Sequence, residues 1–122
     1  MSYYDKQAPT CVVSVLGTEY KIYTDVPESE DETLQQYGGY CDKTSHLIAV
    51  AGKNEEANLH DWDAYVKQVM RHEIVHAFLF ESGLGGDSVW YVEGQEHPEQ
   101  TVDWIARQFP KILEAFRAAD AL

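Results

Sequence analysis

The run His72-Glu73-Ile74-Val75-His76 places two imidazoles four positions apart, with a carboxylate directly after the first. On a helix, positions four apart share a face, so both rings can reach one metal ion, and HExxH is a zinc-site spacing. Glu73 lies one position round the helix from His72 and would act as general base on a metal-bound water, whose pKa zinc lowers towards about 7. A catalytic zinc needs a third protein ligand and an open position. Downstream, Glu99 and Asp103 form the spacing ExxxD. Glu99 would complete a His2Glu set. Asp103, one turn on, would accept the free ring N–H of a zinc-bound histidine, in the first place His72, which fixes the tautomer and raises ligand basicity. Spacing alone leaves rivals for the third ligand. A glutamate in a first helical turn is also favoured by the helix dipole, and Glu93, Glu96 and His97 are alternative donors. The cofactor expected is one Zn2+ per chain.

These side chains need helices to carry them. Trp62, Tyr65, Val66, Val69, Met70, Ile74, Ala77 and Phe80 recur at helical spacing. Asp61 is placed to cap that helix at its start, and Gly83 fits the position just past its end. A glycine-rich loop holding Trp90 and Tyr91 runs from Gly83 to Gly94. Pro98 opens a second helix, where its missing N–H costs nothing. Val102, Ile105, Ala106, Phe109, Ile112, Leu113 and Phe116 form the apolar stripe of that helix, which Pro110 is expected to kink or divide.

Ahead of the helices, Cys11 to Leu16 is a β-branched run followed by Gly17-Thr18-Glu19 and the alternating run Tyr20 to Thr24, which together read as a β-hairpin. The acidic run Glu28 to Glu32 reads as a solvated loop, because adjacent carboxylates repel when packed. Gln35 to Asp42, with Gly38-Gly39, resembles a turn or short strand, and His46 to Ala51 is a further strand stopped by Gly52. Strands first and helices afterwards indicate an α+β fold: a small N-terminal antiparallel sheet of three or four strands, then the HExxH helix, then the helix of the glutamate ligand, all in one domain over residues 1–122.

The chain is globular in composition, with 44% hydrophobic and 12% aromatic residues. Its formal charge of −12, without any Lys/Arg cluster, disfavours a nucleic-acid partner and an anionic membrane. No apolar run is long enough to span a bilayer, and residues 1–10 lack the apolar core of a secretory signal, so a cytoplasmic location is expected. In that compartment Cys11 and Cys41 would be reduced. Trp62, Trp90 and Trp104 read as packing residues, and His46 and His60 as surface histidines.

HExxH followed by ExxxD on a later helix resembles the gluzincin pattern of thermolysin-like peptidases. The text Met70-Arg71-His72-Glu73-Ile74-Val75-His76-Ala77-Phe78-Leu79-Phe80-Glu81-Ser82-Gly83-Leu84, then Val102-Asp103-Trp104-Ile105-Ala106, is similar to small phage- and prophage-encoded zinc metallopeptidase-like proteins, over about Tyr37 to Phe116. The resemblance implies that the strand His46 to Ala51, with Leu47, Ile48, Ala49 and Val50, is the edge strand that aligns an extended peptide by β-augmentation. The longer metzincin motif is absent, since Leu79 and Ser82 stand where its glycine and third histidine would be. No motif fixes a transition-state stabiliser, and Tyr91 and His97, which flank the site in sequence, are the candidates.

Two functions of different class follow. In the first, the protein hydrolyses peptide bonds in a peptide or protein substrate, with Glu73 as base. In the second, it is a non-catalytic binding or structural module of a phage or prophage, in which zinc contributes folding energy. Metal-dependent hydrolysis of a carbonyl other than a peptide is a third use of the same donors.

Overall fold

Two β-hairpins build the N-terminal half. β1 (Cys11–Val15) returns as β2 (Thr18–Val26) through Leu16 and Gly17, at φ 52 and 90, as a two-residue type I′ turn requires. β3 (Gly39–Asp42) and β4 (Leu47–Ala51) form the second antiparallel pair, with Tyr40 opposite Ala49 and Cys41 opposite Ile48. The structure is a computed structural model and describes residues 2–54, 58–83 and 99–122.

The hairpins do not simply follow one another across the sheet, whose order is β1-β2-β4-β3. After Val26 the chain passes through two 3-10 turns, Glu28–Glu30 and Glu32–Gln35, skips one strand position, descends as β3 and returns as β4 into the gap. β4 therefore runs parallel to β2, with Ile22 opposite Ile48 and Tyr23 opposite Ala49. The sheet is mixed, where an antiparallel one was expected. Leu47, Ile48, Ala49 and Val50 are correspondingly in an interior strand, paired on both sides, and cannot be the edge that receives a peptide. Among the described residues β1 and β3 are the outer strands.

The acidic run expected as a loop is ordered by one side chain and one cap. Leu34 is buried under the sheet, and Asp31 Oδ1 accepts from Thr33 N at 3.0 Å.

Both sheet faces are covered, which places the core in two layers. On the front face Val15, Tyr20, Ile22 and Ile48 pack with Ala77, Met70 and Ile74 of the first helix. On the back face Tyr23, Val26, Ala49 and Ala51 pack with Leu34, Tyr3, Tyr4 and Tyr40. Each fully buried Ile or Val contributes roughly 1.5–3 kcal/mol by leaving water. Cys11 and Cys41 are not joined in a disulfide, and both lean on the front cluster.

α1 (Trp62–Glu81) starts where the sequence predicts, with Asp61 Oδ1 accepting from Ala64 N at 3.0 Å. It ends at Ser82, and Gly83 at φ 85 takes the left-handed position that a side chain would disfavour. α2 (Glu99–Ala118) runs unbroken through Pro110 and is not divided there. The proline removes the N–H that would bond the Ala106 carbonyl, and Arg71 Nε of α1 donates to that carbonyl instead, at 3.1 Å. Among the described residues no helix is long and apolar enough to cross a membrane. Pro98, Trp90 and the remainder of the Gly83–Gly94 loop lie outside the described residues.

Candidate metal centre

The site is built where α1 and α2 meet above the β3 edge. His72 and His76 project from one side of α1, one turn apart, with ring centroids 5.0 Å from each other. The sheet-facing side of the same turn carries Ala77, fully buried against the front cluster, so packing fixes which way the imidazoles point.

Glu99, the first residue of α2, bridges the pair: Oε2 lies 2.8 Å from His72 Nε2 and Oε1 lies 2.9 Å from His76 Nε2. One donor atom from each of the three side chains falls within 4.8 Å of the others. Zinc bonds imidazole nitrogen and carboxylate oxygen at about 2.0–2.2 Å. Donors at these separations can therefore surround one ion. Two neutral imidazoles and a carboxylate are also the set expected of a catalytic zinc with an open position. His76 is buried, while the Glu99 side chain is 57% exposed, so the cluster is reached from the α2 side.

Glu73 is turned inward beside this cluster and is 7% exposed. Burial pushes its pKa up to about 7; the neighbouring His72 pulls it down and Glu99 pushes it further up. Beside this turn of α1 the strand β3 carries Gly39, which faces Val69. A methyl group on Gly39 would stand 2.6 Å from Val69 Cγ1, 3.0 Å from the Ala49 carbonyl oxygen and 3.7 Å from Glu73 Cγ. Only the missing side chain allows α1 to approach the strand so closely.

Asp103 is held in place mainly by its own helix. Arg107 Nε donates to its Oδ2 at 2.6 Å, and that contact first, with a smaller pull from His72, holds the carboxyl below its usual range. Its Oδ1 is 3.5 Å from His72 Nδ1, on the expected side of the ring but longer than a good hydrogen bond. The C-terminal end of α1 is tied to β2, where Tyr20 Oη donates to Glu81 at 2.7 Å. Phe80, one turn past His76, receives Lys43 over its ring at 4.9 Å and so links the helix to the β3–β4 turn.

The structure thus brings together His72, Glu73, His76, Glu99 and, more loosely, Asp103. The rival ligands Glu93, Glu96 and His97 and the candidate stabilisers Tyr91 and His97 lie outside the described residues. Leu47 to Val50 lie in the interior strand β4, with β3 between them and the outside of the sheet among the described residues. Two supports were not anticipated from sequence: the close approach at Gly39 and the Arg71 link to Ala106. Each had a signal, a Gly38-Gly39 pair in a strand-forming run and a proline four residues after an alanine in a helix. Comparison of the chain with family models, with curated proteins and with solved structures gave no match.

Proposed function

We propose that the chain hydrolyses peptide bonds using one zinc ion held by His72, His76 and Glu99, in the manner of the minimal gluzincins and phage-encoded peptidases its motifs resemble. The convergence of these three donors next to a buried glutamate is the observation that supports this reading. When bound, zinc would serve as a Lewis acid for the scissile carbonyl and the attacking water. Glu73 would take a proton from that water and deliver it to the leaving amine, and its burial limits competition from bulk solvent. Asp103 would hold the His72 ring. A purely structural ion needs no carboxylate in the position of Glu73, which favours the enzyme over a binding module.

The substrate strand is assigned to β3 in place of β4. Ala51 N donates to the Gly38 carbonyl at 2.9 Å, so Gly38 faces β4. Antiparallel alternation then turns the backbone groups of Tyr40 and Asp42 towards β4 and those of Gly39 away from it, beside Glu73. An extended peptide would pair with the N–H and C=O of Gly39.

Cleavage of a quenched fluorescent peptide library by the zinc-loaded protein and by Glu73→Gln tests the reading. Loss of the base is expected to lower turnover about 10²–10⁴-fold, with zinc content and circular dichroism unchanged. An equal rate in the variant rejects Glu73 as the base, and no cleavage by the wild type rejects the peptidase.

A further inference from the structure

We infer that two copies of this chain pair through an apolar seam along α2, with Phe116 of each copy seated in the groove between α1 and α2 of the other. The inference is independent of the proposed hydrolysis. Ile105, Phe109, Ile112 and Phe116 follow one another at spacings of four, three and four, which is the spacing of a coiled-coil seam. α1 does not cover them: the residues that α2 buries are Val102 and Ala106, on the neighbouring side. Phe109 and Phe116 stay exposed, and Ile105 and Ile112 are half-buried. Glu99 and Asp103 reach His72 from outside the seam, so the candidate metal centre lies clear of it.

Beside the seam, α1 and α2 enclose a groove of about 470 Å³. Ile74, Val75, Phe78 and Leu79 line it from α1, Ile105 and Phe109 line it from α2, and no carboxylate among the described residues takes part. Two α2 helices set antiparallel about a two-fold axis between Pro110 and Lys111 place Ile105 opposite Phe116, and Phe109 opposite Ile112, of the other copy. The knob at Phe116 then meets the groove at Ile105, and the symmetry repeats the contact.

Area and charge select a second copy as the occupant. Phe78, Phe109 and Phe116 are each 43–49% exposed, which is about 100 Å² of open surface per residue. With the half-buried aliphatic side chains beside them, each copy offers on the order of 450 Å² of apolar surface. Two such faces with a polar rim come to roughly 1,000–1,200 Å², the low end for a specific interface and the size of a weak dimer. Charge points the same way. α2 carries three acidic residues (Glu99, Asp103, Glu114) and three basic ones (Arg107, Lys111, Arg117), in a chain of −12. Two like-charged copies therefore repel least along this helix.

Sedimentation equilibrium of the full-length protein tests the pairing. The wild type is expected to dimerise with a Kd on the order of 1–10 µM. Raising salt from about 50 to about 500 mM should tighten the dimer about threefold, because screening relieves the repulsion between copies. Phe116→Glu and Phe78→Glu, both at exposed positions, should each weaken it at least about thirtyfold with circular dichroism unchanged, since each loss occurs on both sides of the two-fold. Should Phe78→Glu fail to fold, Phe116→Glu, near the end of α2, carries the decision. Trp104→Glu places the same charge on an exposed part of α2 off the seam and should shift Kd by less than about twofold. A wild type still monomeric at about 200 µM overturns the inference and leaves the groove to a different occupant. So do a Phe116→Glu protein that pairs like the wild type, a dimer that weakens as salt rises, and a Trp104→Glu effect as large as that of Phe116→Glu.

Discussion

The two helices contribute to one site but are held in different ways. α1, with both imidazoles and Glu73, is pressed onto the sheet by Ala77, Met70 and Ile74, drawn close at Gly39 and tied at its end through Tyr20 and Glu81. α2 supplies Glu99 and Asp103 and rests on α1, with Val102 and Ala106 as its buried residues and Arg71 as the polar link. One half of the candidate metal centre therefore inherits the rigidity of the sheet. The other half is positioned second-hand, through the first helix.

The largest effects should come from the ligands. Wild-type protein dialysed against trace zinc is expected to retain about one ion per chain, and His76→Ala and Glu99→Ala close to none, by plasma emission analysis. Full retention in Glu99→Ala would take α2 out of the centre and end the comparison between the helices.

Next in size is Gly39→Val, which drives a branched side chain into Val69 and the Ala49 carbonyl. A loss of about 3 kcal/mol is expected in urea unfolding, as for overpacking of a tight contact. Wild-type stability would mean that α1 does not need the close approach.

Arg71→Met sharpens the contrast from the α2 side. It strands a carbonyl on buried Ala106, for about 1–3 kcal/mol. In a Pro110→Ala background, where the backbone N–H returns, the same substitution should cost less than half as much. Equal costs in a double-mutant cycle would show that the proline and the arginine are unrelated.

The smallest effect concerns the sheet alone. Burial, then the Asp31 hydrogen bond, pushes the Tyr40 phenol up to about 12, and burial raises Tyr4 beyond that. Above the ordinary tyrosine value of about 10 the unfolded chain releases protons that the folded chain keeps. Stability is thus fully present below pH 10 and is lost as pH rises towards 12. Thermal melts should fall over that window, less steeply in Tyr40→Phe. A flat profile would show that the phenols are not held on the back face.

Much of the site was legible in the sequence because its geometry is local. The His72–His76 spacing, the Asp61 cap and the Gly83 terminus are each decided within one or two helical turns. Strand neighbours are not decided locally. Alternation tells which face a residue takes, yet the parallel pairing of β2 with β4 depends on the chain skipping a position between Val26 and Gly39. One clue was present. Leu47-Ile48-Ala49-Val50-Ala51 has no polar alternation, the mark of a strand covered on both faces and so of an interior one. The Arg71 link is a long-range contact, and only the proline hinted that an acceptor was waiting.

Pro110 does more than interrupt a ladder of hydrogen bonds. By leaving a vacant acceptor at Ala106, it gives α2 a single notch into which the Arg71 guanidinium fits. Sliding α2 by one residue would shift Glu99 about 1.5 Å and swing it roughly 100° about the helix axis. It would also present the guanidinium with a carbonyl already bonded within the helix. The imino acid thereby sets the axial register of the helix that closes the candidate cation site.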